Sequence, residues 1–183
     1  LIWESGVANN EYQLPDDMAG QVVIDVGGHI GAFAHACLIR GAQLVVSVEP
    51  DHGNFDLMQT NLACFGDRAI CLRYAVWRSD LTAPIKMKTL GYGSQQNTGG
   101  GSCVPDSFGD SLPLAFDTLF GWTTAIADRP VDLVKLDCEG AEQPIVHTSK
   151  RIWNATRIIG EWHGHLDEMF QASSPVEGVE YSP

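Results

Sequence analysis

Residues 22–31 read Val-Val-Ile-Asp-Val-Gly-Gly-His-Ile-Gly, an apolar run that leads directly into a glycine-rich turn. Four of the first five residues are apolar, as a strand covered on both faces requires, and valine and isoleucine are β-branched. The glycines let backbone amides approach a ligand, and a helix beginning near His29 points its positive end at the same place. The pattern predicts a small-molecule pocket at the carboxyl end of a first parallel strand.

The glycine spacing distinguishes between two classes of cofactor. A dinucleotide-binding turn has the pattern G-x-G-x-x-G, but Val26 stands at the first glycine position. An acid at the tip of the strand would repel a pyrophosphate, whereas it suits a ligand with an ammonium or sulfonium group. We therefore expect S-adenosylmethionine (SAM) rather than NAD. The residues of this stretch predicted to contact it are Asp25, Gly27, Gly28, His29 and Gly31.

The composition predicts one globular domain over residues 1–183. The chain is 44% hydrophobic and 19% charged, which is enough for a real core. Its net charge of -12 argues against nucleic acid as a partner, because a phosphate backbone would be repelled. The sequence shows no apolar run of membrane-spanning length and no signal-peptide layout at its start. We therefore expect no membrane partner. The five cysteines are odd in number and form no C-x-x-C motif, so we expect a cytoplasmic protein without a disulfide framework or a zinc site.

Strand-like and helix-like segments alternate along the chain. After the first strand, apolar runs at 44–48, 70–76, 131–136 and 157–162 predict further strands, and apolar residues three and four apart between them predict helices. This alternation predicts a Rossmann-like, doubly wound α/β fold with a mainly parallel sheet.

Three segments depart from this alternation. Residues 1–20 are interpreted as a covering segment that leads into the domain. Residues 78–115 are rich in turn formers and predict an inserted hairpin and a mobile loop, after which Asp117 is the predicted cap of a short helix. About twenty residues follow the last predicted strand, fewer than the usual final helix and hairpin need. We therefore expect a truncated or reduced C-terminus.

Two further strand ends are predicted to contact the cofactor. Glu49 ends the second strand, 22 residues beyond Gly27, the spacing at which an acid binds a ribose diol. Glu49 and the adjacent Pro50 are therefore assigned to the cofactor site, with a solvent-facing acid as the alternative for Glu49. Ala75 and Val76, at the end of the third predicted strand, are expected at the adenine edge.

The fourth and fifth strand ends carry candidate catalytic groups. Asp137 and Glu139 could steady a sulfonium, bind the amino-acid end of the cofactor, orient an acceptor or hold a divalent metal. No third carboxylate stands beside them, so we predict no metal site. His163 is the candidate general base, because histidine has an ordinary pKa suited to removing a hydroxyl proton near neutral pH. A histidine that only caps the strand is the alternative, and His165 is a weaker candidate base.

Three motifs of this chain occur together in one known family. They are Val-Ile-Asp-Val-Gly-Gly-His-Ile-Gly at 23–31, Val-Glu-Pro at 48–50 and, as the most specific, Lys-Leu-Asp-Cys-Glu-Gly-Ala-Glu at 135–142. The chain resembles the FkbM family of SAM-dependent methyltransferases from about residue 22 to residue 163. The resemblance implies a class I methyltransferase fold with SAM as methyl donor.

The resemblance also implies roles for particular residues. By position, Asp25, Gly27 and Gly31 would bind the cofactor, Glu49 its ribose, and residues 137–142 would surround the reaction centre. The family usually has Ala-Asn where this chain has Gly-His at 28–29, which removes any contact made by the asparagine side chain.

The predicted function is SAM-dependent methylation of a hydroxyl on a small natural product, sugar or glycan. N-methylation of an amine acceptor such as an amino sugar is the close alternative, because the same in-line alignment serves both. Two other classes stay open: an NAD-dependent oxidoreductase, against which Val26 counts, and a non-catalytic SAM-binding protein, against which Asp137, Glu139 and His163 count. The expected partner is a small-molecule or sugar acceptor, and a homo-oligomer also stays open.

Overall fold

The computed structural model describes residues 10–80 and 111–162, in which strands and helices alternate. The strands are β1 (Val22–Val26), β2 (Leu44–Val48), β3 (Ala69–Leu72), β4 (Tyr74–Trp77), β5 (Leu112–Ala115), β6 (Leu133–Leu136) and β7 (Arg157–Gly160). The α-helices are α1 (Ala32–Ile39), α2 (His52–Leu62), α3 (Phe116–Ala127) and α4 (Glu142–Thr148). None of these helices is long and apolar enough to cross a membrane.

Five strands form one parallel sheet in the order β3-β2-β1-β6-β7. At its centre, Asp25 of β1 is in register with Ser47 of β2 on one side and with Lys135 of β6 on the other. The chain winds outward from β1 to β3 and then crosses back to β6, so the direction of winding reverses between β1 and β6. The predicted doubly wound α/β fold is confirmed. Open sheets of this kind bind ligands at the reversal, beyond the carboxyl ends of the strands.

Helices cover both faces of the sheet because the side chains of its central strand alternate between them. Val22, Ile24 and Val26 pack into a cluster that includes apolar residues of α3 and α4. Val23 packs into a second cluster, with apolar residues of α1, of α2 and of the segment before β1. Asp25 lies two residues after Val23 and therefore shares the α1 face, where it is fully buried. A charged residue thus sits inside the sandwich of sheet and helix.

The third predicted strand is in fact two strands in two different sheets. β3 ends at Leu72, Arg73 is exposed, and β4 then pairs with β5 in a separate two-stranded sheet. Ala75 and Val76 are therefore not at the end of a strand of the main sheet, and their side chains are buried in the α3 cluster. The expected place of Ala75 and Val76 at the adenine edge stays a prediction, and with these side chains buried it would depend on their backbone groups. An apolar run does not reveal which sheet its strand joins.

The strands that flank the predicted insertion pair in parallel. Tyr74 is in register with Leu112, and Trp77 with Ala115. The arms of a hairpin are antiparallel, so β4 and β5 are not such arms. Any hairpin between them would fall at residues 81–110, outside the described part of the chain.

Two helices begin at other residues than predicted. α1 begins at Ala32 rather than near His29, because Gly31 adopts φ +88° and is the N-cap. α3 has Ala115 as its N-cap, and Asp117 lies inside its first turn. The Asp117 carboxylate accepts hydrogen bonds from the Ser149 hydroxyl at 2.5 Å and from Lys150 N at 3.0 Å. It therefore joins α3 to the segment after α4 instead of capping its own helix.

Candidate functional site

Three polar side chains form a row across the middle of the sheet, on the face covered by α1. The Ser47 hydroxyl donates to Asp25 Oδ2 at 2.6 Å, and Lys135 Nζ lies 3.3 Å from Asp25 Oδ1. Asp25 was predicted to present its charge to a ligand at the tip of the strand. It has no exposed surface and instead neutralises an internal lysine, which corrects that prediction.

Lys135 joins the turn after β1 to the loop after β6. Its ammonium donates to the Gly27 carbonyl at 2.7 Å and lies 3.4 Å from Asp137 Oδ2, while the Phe33 ring centroid is 5.8 Å away. Burial alone lowers the pKa of this lysine, but the carboxylates of Asp25 and Asp137 outweigh it and raise the pKa above its ordinary value. The lysine therefore stays charged. It is a buried counter-ion for Asp25 and Asp137, between β1 and β6 where the winding reverses.

The N–H groups of the glycine turn are used within the protein. Gly27 N and Gly28 N both donate to the Val48 carbonyl at 3.0 Å. His29 N donates to Glu49 Oε2 at 2.8 Å, and Gly31 N donates to the Gly28 carbonyl at 2.8 Å. These amides are therefore engaged within the protein, and the contact of the glycine turn with the cofactor stays a prediction. These four N–H groups do not form the anion-binding nest that a phosphate requires.

The missing side chains of the turn allow neighbouring strands to pack closely against it. A Cβ on Gly27 would lie 1.8 Å from the Asp137 carbonyl oxygen, and a Cβ on Gly28 would lie 2.2 Å from Ser47 Oγ. The turn is thus pressed against the end of β6 on one side and against β2 on the other.

Glu49 connects the end of β2 to the glycine turn and to α2. Its side chain is 6% exposed, and its two oxygens accept hydrogen bonds from His29 N at 2.8 Å and Asp51 N at 2.9 Å. The alternative of a solvent-facing acid is therefore wrong. Each carboxylate oxygen keeps a further lone pair, so ribose binding by Glu49 stays a prediction that the contacts allow. The carbonyl of the adjacent Pro50 accepts a hydrogen bond from the Ser111 hydroxyl at 2.5 Å.

Burial makes the stability of the fold depend on the protonation of Glu49. Desolvation raises the pKa of this carboxyl from 4.5 to about 6, against the lowering effect of its two backbone hydrogen bonds. The folded protein then holds more protons than the unfolded chain between these values. The free energy of unfolding should fall as the pH rises through this window, by about 2 kcal/mol.

The prediction is tested by urea unfolding of wild type and Glu49→Gln at several pH values from 4 to 7. The difference between the two free energies of unfolding should change by about 2 kcal/mol across that range, with wild type losing stability relative to the variant as the pH rises. Parallel curves for the two proteins would contradict it.

The loop after β6 holds the two predicted catalytic acids in different ways. Asp137 Oδ2 accepts a hydrogen bond from the Tyr12 hydroxyl at 3.0 Å, and the Asp137 side chain is 26% exposed. Glu139 is half-buried and adopts φ +52°. The buried Glu142 carboxylate holds the loop by accepting hydrogen bonds from Cys138 N at 2.7 Å and Gly140 N at 2.9 Å.

No group of three His, Cys, Asp or Glu residues at 10–80 and 111–162 could hold a metal ion.

His29 lies in the glycine turn that follows β1, at the carboxyl end of the sheet. It is half-buried and adopts φ +49°. Burial first, and the Lys135 ammonium second, lower the pKa of His29 below its ordinary value. A neutral imidazole therefore adds no positive charge where the acids of the neighbouring strand ends lie.

The structure thus brings together only part of the predicted site. Its hydrogen bonds connect Gly27, Gly28, His29, Gly31, Glu49 and, through Lys135, Asp137. The side chains of Ala75 and Val76 are buried in the apolar cluster that also contains Val26 and Val48, and they make none of these hydrogen bonds. His163 and His165 fall outside the described residues, so the base assigned to them stays a prediction.

Sequence reasoning did not identify Lys135 and Tyr12. A signal for Lys135 existed, since a lysine inside the apolar run 133–136 must find a buried acid, and the run 22–26 contains one. For Tyr12 the sequence carries no such signal, because the residue lies in an irregular segment before the first strand.

Solved structures of other proteins resemble part of this chain. No family model matches the sequence, and no curated protein matches it. One similar solved structure is a proposed RNA methyltransferase from Pyrococcus horikoshii, with 26% identity, a TM-score of 0.30, and coverage of 39% of this chain and 31% of that protein.

A second similar structure is phosphoethanolamine N-methyltransferase 1 from Haemonchus contortus, in complex with phosphoethanolamine and S-adenosylhomocysteine. It has 22% identity and a TM-score of 0.35, and the match covers 48% of this chain and 18% of that one. The chain thus spans less than a third of either protein. The resemblance to the FkbM family stays a prediction.

Proposed function

We propose that the protein is a SAM-dependent methyltransferase that acts on a hydroxyl of a small molecule, sugar or glycan. One observation carries the proposal: the N–H groups of the glycine turn are engaged internally, while the ends of β2 and β6 present the carboxylates of Glu49 and Asp137. A pyrophosphate needs free N–H donors and repels carboxylates. SAM has no pyrophosphate, and in addition to a ribose diol, which NAD shares, it offers a cationic amino-acid end.

The acidic groups of the site fit SAM by their chemistry. Glu49 would accept from the ribose diol with the lone pairs left by its two backbone bonds. Asp137, which is partly exposed, would take the ammonium or lie beside the sulfonium. SAM supplies a methyl group on a positively charged sulfur. The FkbM-like motif at 135–142 supports the same assignment.

The contribution of the chain itself is alignment and hydrogen bonding. Most of the rate of an in-line transfer comes from holding the acceptor against the methyl group, so a rigid site is needed. Glu142 provides that rigidity by holding Cys138 N and Gly140 N. Within this loop, Asp137 and Glu139 are the proposed groups that orient the acceptor hydroxyl, and His163 is the proposed base.

An amine acceptor is the second candidate, favoured by the charges at this edge of the sheet. The residues that follow β2, β6 and β7 include Glu49, Asp51, Asp137, Glu139 and Glu161. Acids around a crevice attract a cation, and a protonated amine is one. The same carboxylates could accept the proton that the amine must lose before methyl transfer.

Calorimetric titration with SAM, its demethylated product and NAD tests the proposal. We expect the first two ligands to bind and NAD not to bind. Glu49→Gln should weaken SAM binding by about tenfold, because a charged hydrogen-bond acceptor at the ribose is lost. The matched control is Asp67→Asn, an exposed acid just before β3 at the opposite edge of the sheet, which should leave binding unchanged.

Preferential binding of NAD would overturn the proposal in favour of an oxidoreductase. A methyl-transfer screen over hydroxyl and amine acceptors then separates the remaining possibilities. Transfer to neither class by a protein that binds SAM would leave a non-catalytic SAM-binding protein.

A further inference from the structure

The two oxygens of the Asp137 carboxylate have different surroundings. Oδ2 accepts the hydrogen bond from the Tyr12 hydroxyl at 3.0 Å and lies 3.4 Å from Lys135 Nζ. Oδ1 accepts no hydrogen bond within residues 10–80 and 111–162, and the side chain is 26% exposed. One oxygen is therefore held by protein groups, and the other keeps its capacity to accept a hydrogen bond from a ligand.

Tyr12 is held firmly enough to fix that oxygen. Its ring packs edge-to-face on Phe33, with the ring centroids 5.2 Å apart. Arg157 of β7 donates to the carbonyls of Gln13 at 3.2 Å and Tyr12 at 3.4 Å, which ties this segment to the edge of the sheet. Leu14 is buried next to it. The tyrosine is thus anchored through its ring, its backbone and its neighbour.

The Tyr12 hydroxyl can act only as a donor to Asp137. Burial, partly offset by the Lys135 ammonium, raises the pKa of Tyr12 well above its ordinary value, so the phenol keeps its proton. The Lys135 side chain is only 4% exposed and cannot itself reach a ligand. Both groups contact Asp137, the tyrosine through its hydroxyl and the lysine through its ammonium.

We propose that Tyr12 is a positioning residue of the site: its hydroxyl holds Oδ2 of Asp137 and thereby directs Oδ1 toward the cationic end of the cofactor. The segment before the first strand then contributes to binding as well as covering the sheet. This inference rests on the proposed function, because it takes SAM as the ligand. It goes beyond that function because it assigns a role to a residue outside the methyltransferase-like motifs.

Removal of a single oxygen atom tests the inference. Tyr12→Phe keeps the ring on Phe33 and removes only the donor, so the fold should be retained, which thermal unfolding checks. SAM binding, measured by calorimetry, should weaken about fivefold, the worth of one hydrogen bond. Tyr74→Phe is the matched control, because the Tyr74 ring contacts Trp122 and its hydroxyl has no hydrogen-bond partner in the described residues. It should bind SAM like wild type.

A double-mutant cycle shows whether Tyr12 acts through Asp137. Asp137→Asn alone should weaken SAM binding by about tenfold, since the charged acceptor is lost. Adding Tyr12→Phe to this variant should cause no further loss, because the carboxylate it positions is gone. A tyrosine with a merely structural role would instead weaken binding equally in both backgrounds.

The outcomes separate the inference from the function on which it rests. The inference alone is overturned if wild type and Tyr12→Phe bind SAM equally well. It is also overturned if Tyr12→Phe weakens SAM binding fivefold in the Asp137→Asn background as well. Wild-type protein that does not bind SAM overturns the proposed function and the inference together. A loss with Tyr12→Phe that disappears in the Asp137→Asn background supports both.

Discussion

Lys135→Met is expected to destabilise the protein by about 3–5 kcal/mol, because it removes one partner of a buried ion pair and leaves the other charged. Asp25 has no exposed surface, so its carboxylate cannot be compensated by water. The Gly27 carbonyl also loses its 2.7 Å hydrogen bond from the ammonium. Urea unfolding at pH 7 should show the loss as a lower midpoint of the transition.

Two further variants isolate the cause of that loss. Asp25→Asn/Lys135→Met leaves no buried charge at this position, and an amide can still accept from the Ser47 hydroxyl, so we expect about half of the stability to return. Lys150→Met changes an exposed lysine and should stay within about 0.5 kcal/mol of wild type. If the double variant were less stable than Lys135→Met, the ion pair would not be the reason.

The same ion pair shows why the fold could be predicted more fully than the site. β1 and β2 begin and end where predicted, because all five residues of each strand are buried and the runs are almost uniformly apolar. The partner of Asp25 could not be predicted in this way, because Lys135 follows about 110 residues later and meets it only through the register of β1 and β6. A local pattern shows the neighbours of a residue along the chain but not across a sheet.

The position of the glycine turn could be predicted from the sequence, but the partners of its N–H groups could not. The turn does follow β1 at the point where the winding reverses, as the pattern G-G-x-x-G indicated. Its N–H groups, however, satisfy the Val48 carbonyl and the Glu49 carboxylate, two acceptors on the neighbouring strand that no spacing rule identifies. For the same reason Glu49 could be assigned to the site by its distance from the turn, whereas its burial could not be foreseen.

Gly27→Ala is expected to lower the free energy of unfolding by about 4 kcal/mol or more, and this variant is the strictest test of the turn geometry. Gly27 adopts φ +80°, and an added Cβ would lie 1.8 Å from the Asp137 carbonyl oxygen. The left-handed conformation alone costs an alanine about 1–2 kcal/mol. The overlap adds a larger cost, because Asp137 is fixed by its N–H bond to the Val26 carbonyl at 3.2 Å and cannot move away freely.

Gly66→Ala separates the two contributions to this loss. Gly66 also has a positive φ, +57°, with ψ -135°, but apart from its chain neighbours no atom lies within 4 Å of the position its Cβ would take. Gly66→Ala should therefore lose only the cost of its unfavourable backbone conformation, about 1–3 kcal/mol, in the same urea titration. Equal losses for the two variants would mean that the turn can move away from the end of β6. In that case the 2.7 Å bond between Lys135 and the Gly27 carbonyl would not hold the two strand ends together.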